Sequence, residues 1–352
     1  MKTLIIGGGL SGLALAASLE SAGHDYLLVE ARDRVGGRIK TERFDDGYFD
    51  LGPAWFWPGQ PRIAGLVDRL GLEKFTQYSA GDQVFEDTQG KVQRGRGFAS
   101  MEGSWRLKGG LGLLAQSLAG LLPDTRLRLN AGVIALAKTD AAITATLSVG
   151  TTLQADRIVL ALPPRIAAQI EFSPALSPEA MKSMQGVPTW MAGQAKAIAV
   201  YGTPFWREAG LSGDATSRFG PMVEIHDASP ATEGPYGLFG FIGVAPTARK
   251  DAETLRNHIT LQLERLFGPK AADPVALYLK DWAFDPRTST QSDLDPLFAH
   301  PDYGMPPALG NLWDNKVIFA GTEVAARFGG YLEGALEAAE NAMAILRSER
   351  HR

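Results

Sequence analysis

The sequence predicts an α/β fold that opens with a βαβ unit and continues into an antiparallel sheet beside it. Thr3 to Ile6 is a short β-branched and aliphatic run, and Leu10 to Ser21 carries apolar residues at helical spacing. Tyr26 to Glu30 is a second apolar run of strand type. A strand, a helix and a second strand in this order indicate a βαβ unit at the start of the chain.

Short apolar runs then alternate with turn-rich connections, a pattern that predicts an antiparallel sheet. Ala252 to Phe267 has apolar residues every four positions, which predicts a helix that covers this sheet. Val317 to Ala320 predicts a last strand, and a helix is expected from about Tyr331 to Leu346. The strands predicted in the middle are Leu127 to Leu129, Ile158 to Leu162, Ala197 to Tyr201 and Gly237 to Val244.

Composition excludes several kinds of partner. Thirty-five basic and 39 acidic residues leave a net charge of −4 without a basic block, so neither nucleic acid nor a membrane surface is expected as a partner. The chain has no cysteine, which rules out disulfides and thiolate metal sites and is consistent with a cytoplasmic protein. The five histidines lack ligand spacing, so no metal is expected.

The apolar start of the chain superficially resembles a secretory signal, but its glycines favour a nucleotide-binding turn. In Gly7-x-Gly9-x-x-Gly12 the first glycine permits a tight turn, the second lets backbone amides approach a pyrophosphate, and the third lets helix and strand pack closely. Glu30 follows Gly12 by 18 residues, near the ~20-residue spacing at which an acidic side chain binds ribose hydroxyls. Together these residues predict a dinucleotide site but do not choose between NAD and FAD.

The next segments choose FAD. Glu30 to Arg38, with its Gly36-Gly37 pair, resembles the flavoprotein continuation in which two glycines and an arginine pass beneath the FAD pyrophosphate. Arg38 would then clamp the diphosphate with its planar guanidinium. Asp50 to Trp55 resembles the segment that runs along the flavin ring.

The remaining motifs resemble the flavin-containing monoamine oxidase family. Leu160 to Pro164 is similar to that family's strand and double proline. Phe319 to Glu323 and Gly329 to Ala335 match its closing motif almost position for position. The resemblance covers about the first eighty residues and most of the chain from Arg106 to Leu346.

The resemblance implies a fold and two catalytic residues. The expected fold is a Rossmann-type FAD-binding domain (residues 1–78, 104–184 and 286–352) interleaved with a smaller antiparallel-sheet-plus-helix substrate domain (79–103 and 185–285). Lys196 resembles the lysine that bonds through water to the flavin N5, and a lysine in an apolar strand must find a partner or lose its proton. Tyr331 resembles one of two aromatic walls that orient the amine. The candidates for the second wall are Trp282, Phe284, Phe298 and Tyr303.

The resemblance also implies which residues bind the cofactor. FAD is expected without a covalent thioether, because there is no cysteine. The predicted FAD-binding residues are Gly7, Gly9, Ser11, Gly12, Glu30, Ala31, Arg32, Gly37, Arg38, Gly52, Pro53, Ala54, Trp55, Val133, Trp282, Gly321, Glu323, Gly330, Tyr331, Leu332 and Ala335.

The sequence departs from its relatives where the substrate would lie. Trp55 stands where amino-acid oxidases of the superfamily have an arginine for the α-carboxylate, and Trp57 where polyamine oxidases tend to have a histidine. Trp55, Phe56 and Trp57 therefore favour an apolar monoamine, unless they pack a domain junction instead. The region from Leu72 to Arg106 is also far shorter than its counterpart, which roofs the cavity in monoamine oxidases.

The expected reaction is oxidation of a small, apolar primary amine to an imine and then an aldehyde, with O2 reduced to H2O2. Two alternatives stay open on sequence. One is a flavoprotein that oxidises or desaturates a non-amine donor, as protoporphyrinogen oxidases or renalase-like enzymes do. The other is an FAD-binding protein without catalytic activity.

Overall fold

A computed structural model of the chain describes residues 2–231, 233–295, 297 and 299–348. Its helices are α1 Leu10–Ser21, α2 Pro61–Arg69, α3 Leu111–Ala119, α4 Pro164–Ala167, α5 Pro178–Gly186, α6 Phe205–Glu208, α7 Ala252–Phe267 and α8 Leu332–Ser348. Its strands are β1 Lys2–Ile6, β2 Asp25–Val29, β3 Thr41–Phe44, β4 Gly47–Asp50, β5 Lys74–Thr76, β6 Asp82–Glu86, β7 Val92–Arg94, β8 Trp105–Leu107, β9 Leu127–Arg128, β10 Val133–Lys138, β11 Ile143–Leu147, β12 Thr152–Ala155, β13 Arg157–Leu160, β14 Glu171–Ser173, β15 Ala195–Tyr201, β16 Leu211–Ser217, β17 Met222–Asp227, β18 Tyr236–Ile242, β19 Ala276–Asp281 and β20 Val317–Phe319.

A five-stranded parallel sheet in the order β20-β13-β1-β2-β9 contains the predicted βαβ unit. The expectation that the strands at Leu127 and Ile158 belong to the antiparallel sheet is wrong, because both join this parallel sheet as β9 and β13. The four residues of β13 are all buried, as is typical of an interior parallel strand. A short apolar run identifies a strand, but it does not show which other strands that strand pairs with.

The parallel sheet is covered on both faces. Alternate residues such as Ile5 and Leu28 pack against α1, α3 and α8. Their neighbours Leu4 and Leu27 pack on the other face against α5 and a four-stranded sheet, β12-β11-β10-β14. Side chains of a strand point alternately to the two faces, so both sets are buried and β1 and β2 are almost continuously apolar.

The seven-stranded sheet β19-β15-β18-β17-β16-β6-β7 is antiparallel except where β16 runs parallel to β6. The helix predicted from Ala252 to Phe267 is confirmed as α7. Asp251 is its N-cap residue, and the Asp251 carboxylate accepts hydrogen bonds from two backbone N–H groups in the first turn of the helix. Ala195, Ala197 and Ala199 pack with α7, whereas Ile198 and Val200 face Trp55 on the opposite side. Side chains two residues apart on a strand point to the same face, so Lys196 lies on the same face of β15 as Ile198. This face is directed towards the parallel sheet.

All strands of the seven-stranded sheet lie inside 79–103 and 185–285, the ranges predicted for the substrate domain, although the division into domains itself stays a prediction. Within the part of the chain described, no helix is long and apolar enough to cross a lipid bilayer.

Candidate active site

A cavity of about 1640 Å³, including its open mouth, lies between the parallel sheet and the seven-stranded sheet. Two parts of its lining differ in chemistry. The glycine-rich part contains Gly7, Gly9, Gly36 and Gly37 with Glu30, Arg32 and Arg38. The aromatic part contains Trp55, Trp57, Met101, Trp190, Phe241 and Tyr331 with Lys196.

The glycine-rich part is built on the turn between β1 and α1. Gly7 has φ +113°, and a Cβ there would lie 2.6 Å from the carbonyl oxygen of Ala161. A Cβ on Gly12 would overlap the carbonyl oxygen of Gly7, so only glycine allows α1 to pack this close. Gly9 is the N-cap residue of α1, no described side chain caps the first turn of this helix, and no acidic residue occupies that turn. The positive end of α1 is therefore open to an anion.

Glu30 and Arg32 lie beside this helix end. The carboxylate of Glu30 accepts hydrogen bonds from the backbone N–H groups of Gly8 at 2.7 Å and Arg32 at 2.8 Å. Nη2 of Arg32 donates to Asp285 Oδ1 at 2.8 Å and to Thr288 Oγ1 at 3.1 Å. These contacts hold an acidic side chain at the cavity wall, where ribose hydroxyls would donate to it.

Arg34, which carries no role in the sequence prediction, shapes the double-glycine turn. Its guanidinium donates to the backbone carbonyls of Val35 at 3.0 Å and of Gly37 and Ile39 at 2.9 Å. Gly36 and Gly37 have φ of +101° and +58°, a conformation that suits glycine. The turn that would face a diphosphate is thus fixed from behind by one side chain.

Arg38 and Glu323 form an ion pair across the cavity wall. Nη1 of Arg38 donates to Oε1 of Glu323 at 2.6 Å, and Glu323 is fully buried. Burial lowers the pKa of Arg38, but the adjacent Glu323 outweighs it and raises the pKa above its ordinary value. Oε2 of Glu323 has no hydrogen-bond partner among the described residues, although it lies close to Gly321 of the lining. A hydroxyl group of a bound ligand would satisfy that buried oxygen.

Lys196 is buried in the aromatic part with its ammonium directed at the segment from Asp50 to Trp55. Nζ donates to the carbonyl oxygen of Gly52 at 2.5 Å and lies 5.2 Å from the ring centre of Phe241. Burial lowers the pKa of Lys196 to about 8, and the charge of Asp50 opposes this shift. Both expected outcomes for a lysine in an apolar strand therefore occur here: it finds a partner, and its proton is held less tightly.

Asp50 lies at the end of β4 under the same segment. Burial raises its pKa to about 6, even though Thr41 Oγ1 donates to it at 2.5 Å and the backbone N–H of Leu111 at 3.1 Å. Leu111 opens α3, so the carboxylate is also the counter-charge of a helix N-terminus. Asp50 ties the segment that carries Gly52 and Trp55 to the parallel-sheet side of the protein.

Tyr331 lines the cavity immediately before α8 and is 37% exposed. Its ring stacks on His300 with centroids 5.1 Å apart and planes 18° apart. Of the candidates for a second wall, Trp282 lines the cavity and donates its indole N–H to the carbonyl oxygen of Leu51 at 2.9 Å. Phe284 is 47% exposed at the surface.

Tyr303, another wall candidate, anchors a turn instead of facing the cavity. Its hydroxyl donates to the carbonyl oxygen of Pro188 at 2.8 Å and accepts from the N–H of Trp190 at 2.9 Å. Trp190 is the residue that reaches the cavity from this turn. Phe298 lies outside the described residues.

The three aromatic residues after Ala54 separate into two environments. Trp55 and Trp57 line the cavity, as expected for an apolar approach. Phe56 does not: it is fully buried in the core under α1 and α3, with its ring 5.8 Å from that of Trp105. Residues of an extended segment alternate in direction, which explains why the middle residue points away.

Most of the predicted cofactor residues meet at the cavity, but four lie outside its lining. Gly12 packs α1 against the turn, and Glu323 stands behind Arg38. Ala31 and Val133 also lie outside the lining. The predicted residues that line the cavity are Gly7, Gly9, Ser11, Glu30, Arg32, Gly37, Arg38, Gly52, Pro53, Ala54, Trp55, Lys196, Trp282, Gly321, Gly330, Tyr331, Leu332 and Ala335.

Other lining residues had no assigned role in the prediction. They come from segments whose sequences carry no motif, so only the tertiary structure brings them to the cavity. They are Gln60, Met101, Trp190, Met191, Phe241, Arg287 and Thr288. Across the described residues no group of three or more acidic or histidine side chains is arranged to hold a metal ion.

The cavity fits FAD. The open end of α1 and Arg38 would hold the diphosphate, Glu30 the adenosine ribose, and the orphaned oxygen of Glu323 a hydroxyl of the chain between diphosphate and ring. Gly52 to Trp55, with Lys196 beside them, would flank the ring system.

Comparisons with known proteins agree with this geometry. The family model described as flavin containing amine oxidoreductase matches residues 10–99 and 93–345. A protein of Dictyostelium discoideum named "Probable flavin-containing monoamine oxidase A" is 24% identical, over 95% of this chain and 94% of its own length. Two solved structures share the fold: a wild-type putrescine oxidase bound to putrescine, and cyclohexylamine oxidase from Brevibacterium oxydans IH-35A. The first has TM-score 0.83, 22% identity and covers 99% of both chains; the second has TM-score 0.83, 23% identity and covers 100% of this chain and 99% of the other.

The family model spans most of the chain, and the glycine-rich part of the cavity supplies the groups that its flavin requires. The chain therefore belongs to the flavin-containing amine oxidoreductases, as an FAD-dependent oxidoreductase that acts on CH–NH2 donors.

Proposed function

We propose that the protein oxidises a primary monoamine with an apolar body to an imine, which water converts to an aldehyde and ammonia while oxygen is reduced to hydrogen peroxide. The observation that carries this proposal is the chemistry of the aromatic part of the cavity. Trp55, Trp57 and Phe241 line it together with Met101. Such a surface binds a hydrophobic body and presents aromatic faces to an amine.

The lining also argues against a diamine. Among the described residues that line the cavity the acidic one is Glu30, and both of its oxygens accept backbone hydrogen bonds in the glycine-rich part. A second ammonium group in the aromatic part would be desolvated without a carboxylate partner, which is costly. Putrescine is therefore not our proposed substrate, although the fold is shared with putrescine oxidase.

Bound FAD would accept the two electrons that the amine loses at the C–H bond next to its nitrogen. Tyr331 would orient the nitrogen and Trp55 would exclude water around the substrate. Lys196, held by Gly52, would place a positive charge where oxygen takes up electrons. The amine must be neutral to react, so the rate of substrate oxidation is expected to rise with pH.

An anaerobic absorbance titration of the yellow protein tests the proposal. Aliphatic and aromatic monoamines should bleach the flavin, admission of air should restore it with one peroxide per turnover, and putrescine should bleach it far more slowly. Bleaching by putrescine in preference to monoamines would overturn the substrate class, and no bleaching by any amine would overturn the proposed reaction.

Cell fractionation tests the cytoplasmic location that the cysteine-free sequence favours.

A further inference from the structure

Residues 95–103, named here the cap segment, connect β7 to β8 and reach over the aromatic part of the cavity. Its first residues face solvent, and Phe98 is 72% exposed. Met101 instead is half-buried, lines the cavity and packs with the cluster that contains Trp55 and Phe241. The cap segment thus contributes one apolar side chain to the place where the amine would bind.

A polar contact next to Met101 joins the cap segment to the seven-stranded sheet. The Ser100 hydroxyl donates to Oε1 of Glu224 and lies 3.5 Å from Nε2 of His226. His226 is buried, and its ring lies 2.9 Å from Glu224 through Nε2 and 2.7 Å from Asp214 through Nδ1. The edge of Trp55 packs on His226 with ring centroids 5.3 Å apart. We call the contact between Ser100 and Glu224 the latch.

The two carboxylates hold the imidazole in place and favour its protonated form. Burial lowers the pKa of His226, but the hydrogen bonds to Asp214 and Glu224 outweigh it and raise the pKa above its ordinary value. The contact of Nε2 with Oε1 at 2.9 Å in turn fixes Glu224, the acceptor of the latch. The latch therefore closes onto a half-buried carboxylate that a buried imidazole holds in place.

The rest of the cap segment is suited to movement. Gly95, Gly97 and Gly103 have φ of +70°, +133° and +77°, and the residues between Arg94 and Phe98 are exposed. Segments with exposed backbone and few buried apolar contacts open at low free-energy cost. Opening would carry Met101 away from Trp55 and uncover the aromatic part.

We infer that Met101 is a specificity-determining residue that limits the length of the amine's apolar body, and that the latch holds the cap segment closed over the bound amine. The inference deepens the proposed function and rests on it for the identity of the substrate. A methionine side chain is flexible, so it fills space without a fixed shape, and its removal leaves room for about three heavy atoms.

Length selection is tested with linear primary amines from propylamine to decylamine. The rate of anaerobic flavin reduction per molar amine is measured for the wild type, Met101→Ala and Met101→Phe. Met101→Ala should raise the ratio of rates for octylamine over propylamine by at least tenfold, since a single methylene in an apolar pocket changes such ratios about 10–200-fold. Met101→Phe should lower the ratio. Phe98→Ala, in the same segment but exposed, is the matched control and should leave it unchanged.

The latch is tested without turnover. Trypsin cleaves after Arg94 and Arg96 and must draw the residues that follow into its own active site, so the rate of nicking there reports release of the cap segment as far as Ser100. Ser100→Ala should be nicked about fivefold faster than the wild type, as expected for the loss of one hydrogen bond, and Ser100→Thr should restore the slow rate. tert-Octylamine, which has no α hydrogen and so cannot be oxidised, should slow nicking of the wild type.

Each result bears on the inference separately from the proposed function. An octylamine-to-propylamine ratio that stays within twofold in Met101→Ala would overturn the role of Met101 while amine oxidation stands. Equal nicking rates in the wild type and Ser100→Ala would overturn the latch. If no amine reduces the flavin of any variant, the proposed function fails, while slower nicking with tert-octylamine would still support a cap that closes on a bound amine.

Discussion

The two parts of the cavity are constructed in different ways. The glycine-rich part comes from short continuous stretches, chiefly residues 7–12 and 30–38, that are built around closely packed glycines. The aromatic part comes from side chains at 55, 57, 101, 190 and 241, which stand on separate elements. A backbone-built site tolerates no added atoms, whereas a site built of side chains can change its volume by single substitutions. We therefore expect substitutions in the first part to abolish cofactor binding and those in the second to alter the substrate or the rate.

The largest effect is expected at Gly12. In Gly12→Val the added side chain would overlap the carbonyl oxygen of Gly7, so the protein should lose on the order of 4 kcal/mol of stability and purify without FAD. Flavin absorbance per protein and thermal unfolding measure both effects. Gly186→Ala is the control, because a Cβ there meets no described atom within 4 Å, and it should retain full flavin content. A yellow Gly12→Val protein of normal stability would contradict the close packing of α1.

A second prediction separates stability from cofactor affinity at the ion pair. Arg38→Met leaves the buried Glu323 unpaired and should cost about 3 kcal/mol of stability, together with a rise of tenfold or more in the FAD dissociation constant. The double variant Arg38→Met/Glu323→Gln should recover most of the stability but not the affinity. Urea unfolding of the apoprotein and FAD titration provide the two readouts. If the double variant also regained FAD affinity, Arg38 would not be a diphosphate clamp.

In the aromatic part, Lys196→Met should fold and bind FAD but slow reoxidation by oxygen about 100-fold, the magnitude typical of losing one preorganised charge at a reacting group. Because the Lys196 pKa is about 8, its ammonium is lost as pH rises through that value. The wild-type kcat/KM for oxygen should therefore fall above pH 8, and the variant should be flat. Lys138→Met, at a strand lysine outside the cavity lining, is the control. Unchanged reoxidation in Lys196→Met would remove the proposed role.

The smallest effect is expected at Asp50, under the segment that joins the two parts. Its folded pKa of about 6 lies above the ordinary value of 3.8, so the folded state binds the proton more tightly and loses stability as pH rises from about 4 to 6. The full shift corresponds to at most ~3 kcal/mol. Asp50→Asn should flatten this dependence in urea unfolding of the apoprotein. An unchanged slope between pH 4 and 6 would show that other groups cause it.

Sequence reasoning succeeded where the structure is local. α1 and α7 begin and end at the predicted residues, and the positive φ of Gly7 agrees with the tight turn assigned to it. It failed where partners are distant: β9 and β13 carry ordinary strand patterns, and nothing in those patterns states which sheet they join. Phe56 likewise shares its composition with Trp55 but faces the opposite core.

By itself the sequence determined the glycine-rich turn after β1, the acidic residue after β2 and the lysine in β15. Each of these depends on backbone conformation or hydrophobic periodicity within a window of a few residues. Only the tertiary structure decided that Lys196 would meet Gly52, that Arg38 would pair with Glu323, and that Met101 would reach Trp55. Such contacts join residues separated by tens to hundreds of positions, and they exist because apolar faces of different sheets are buried together rather than because of any local preference.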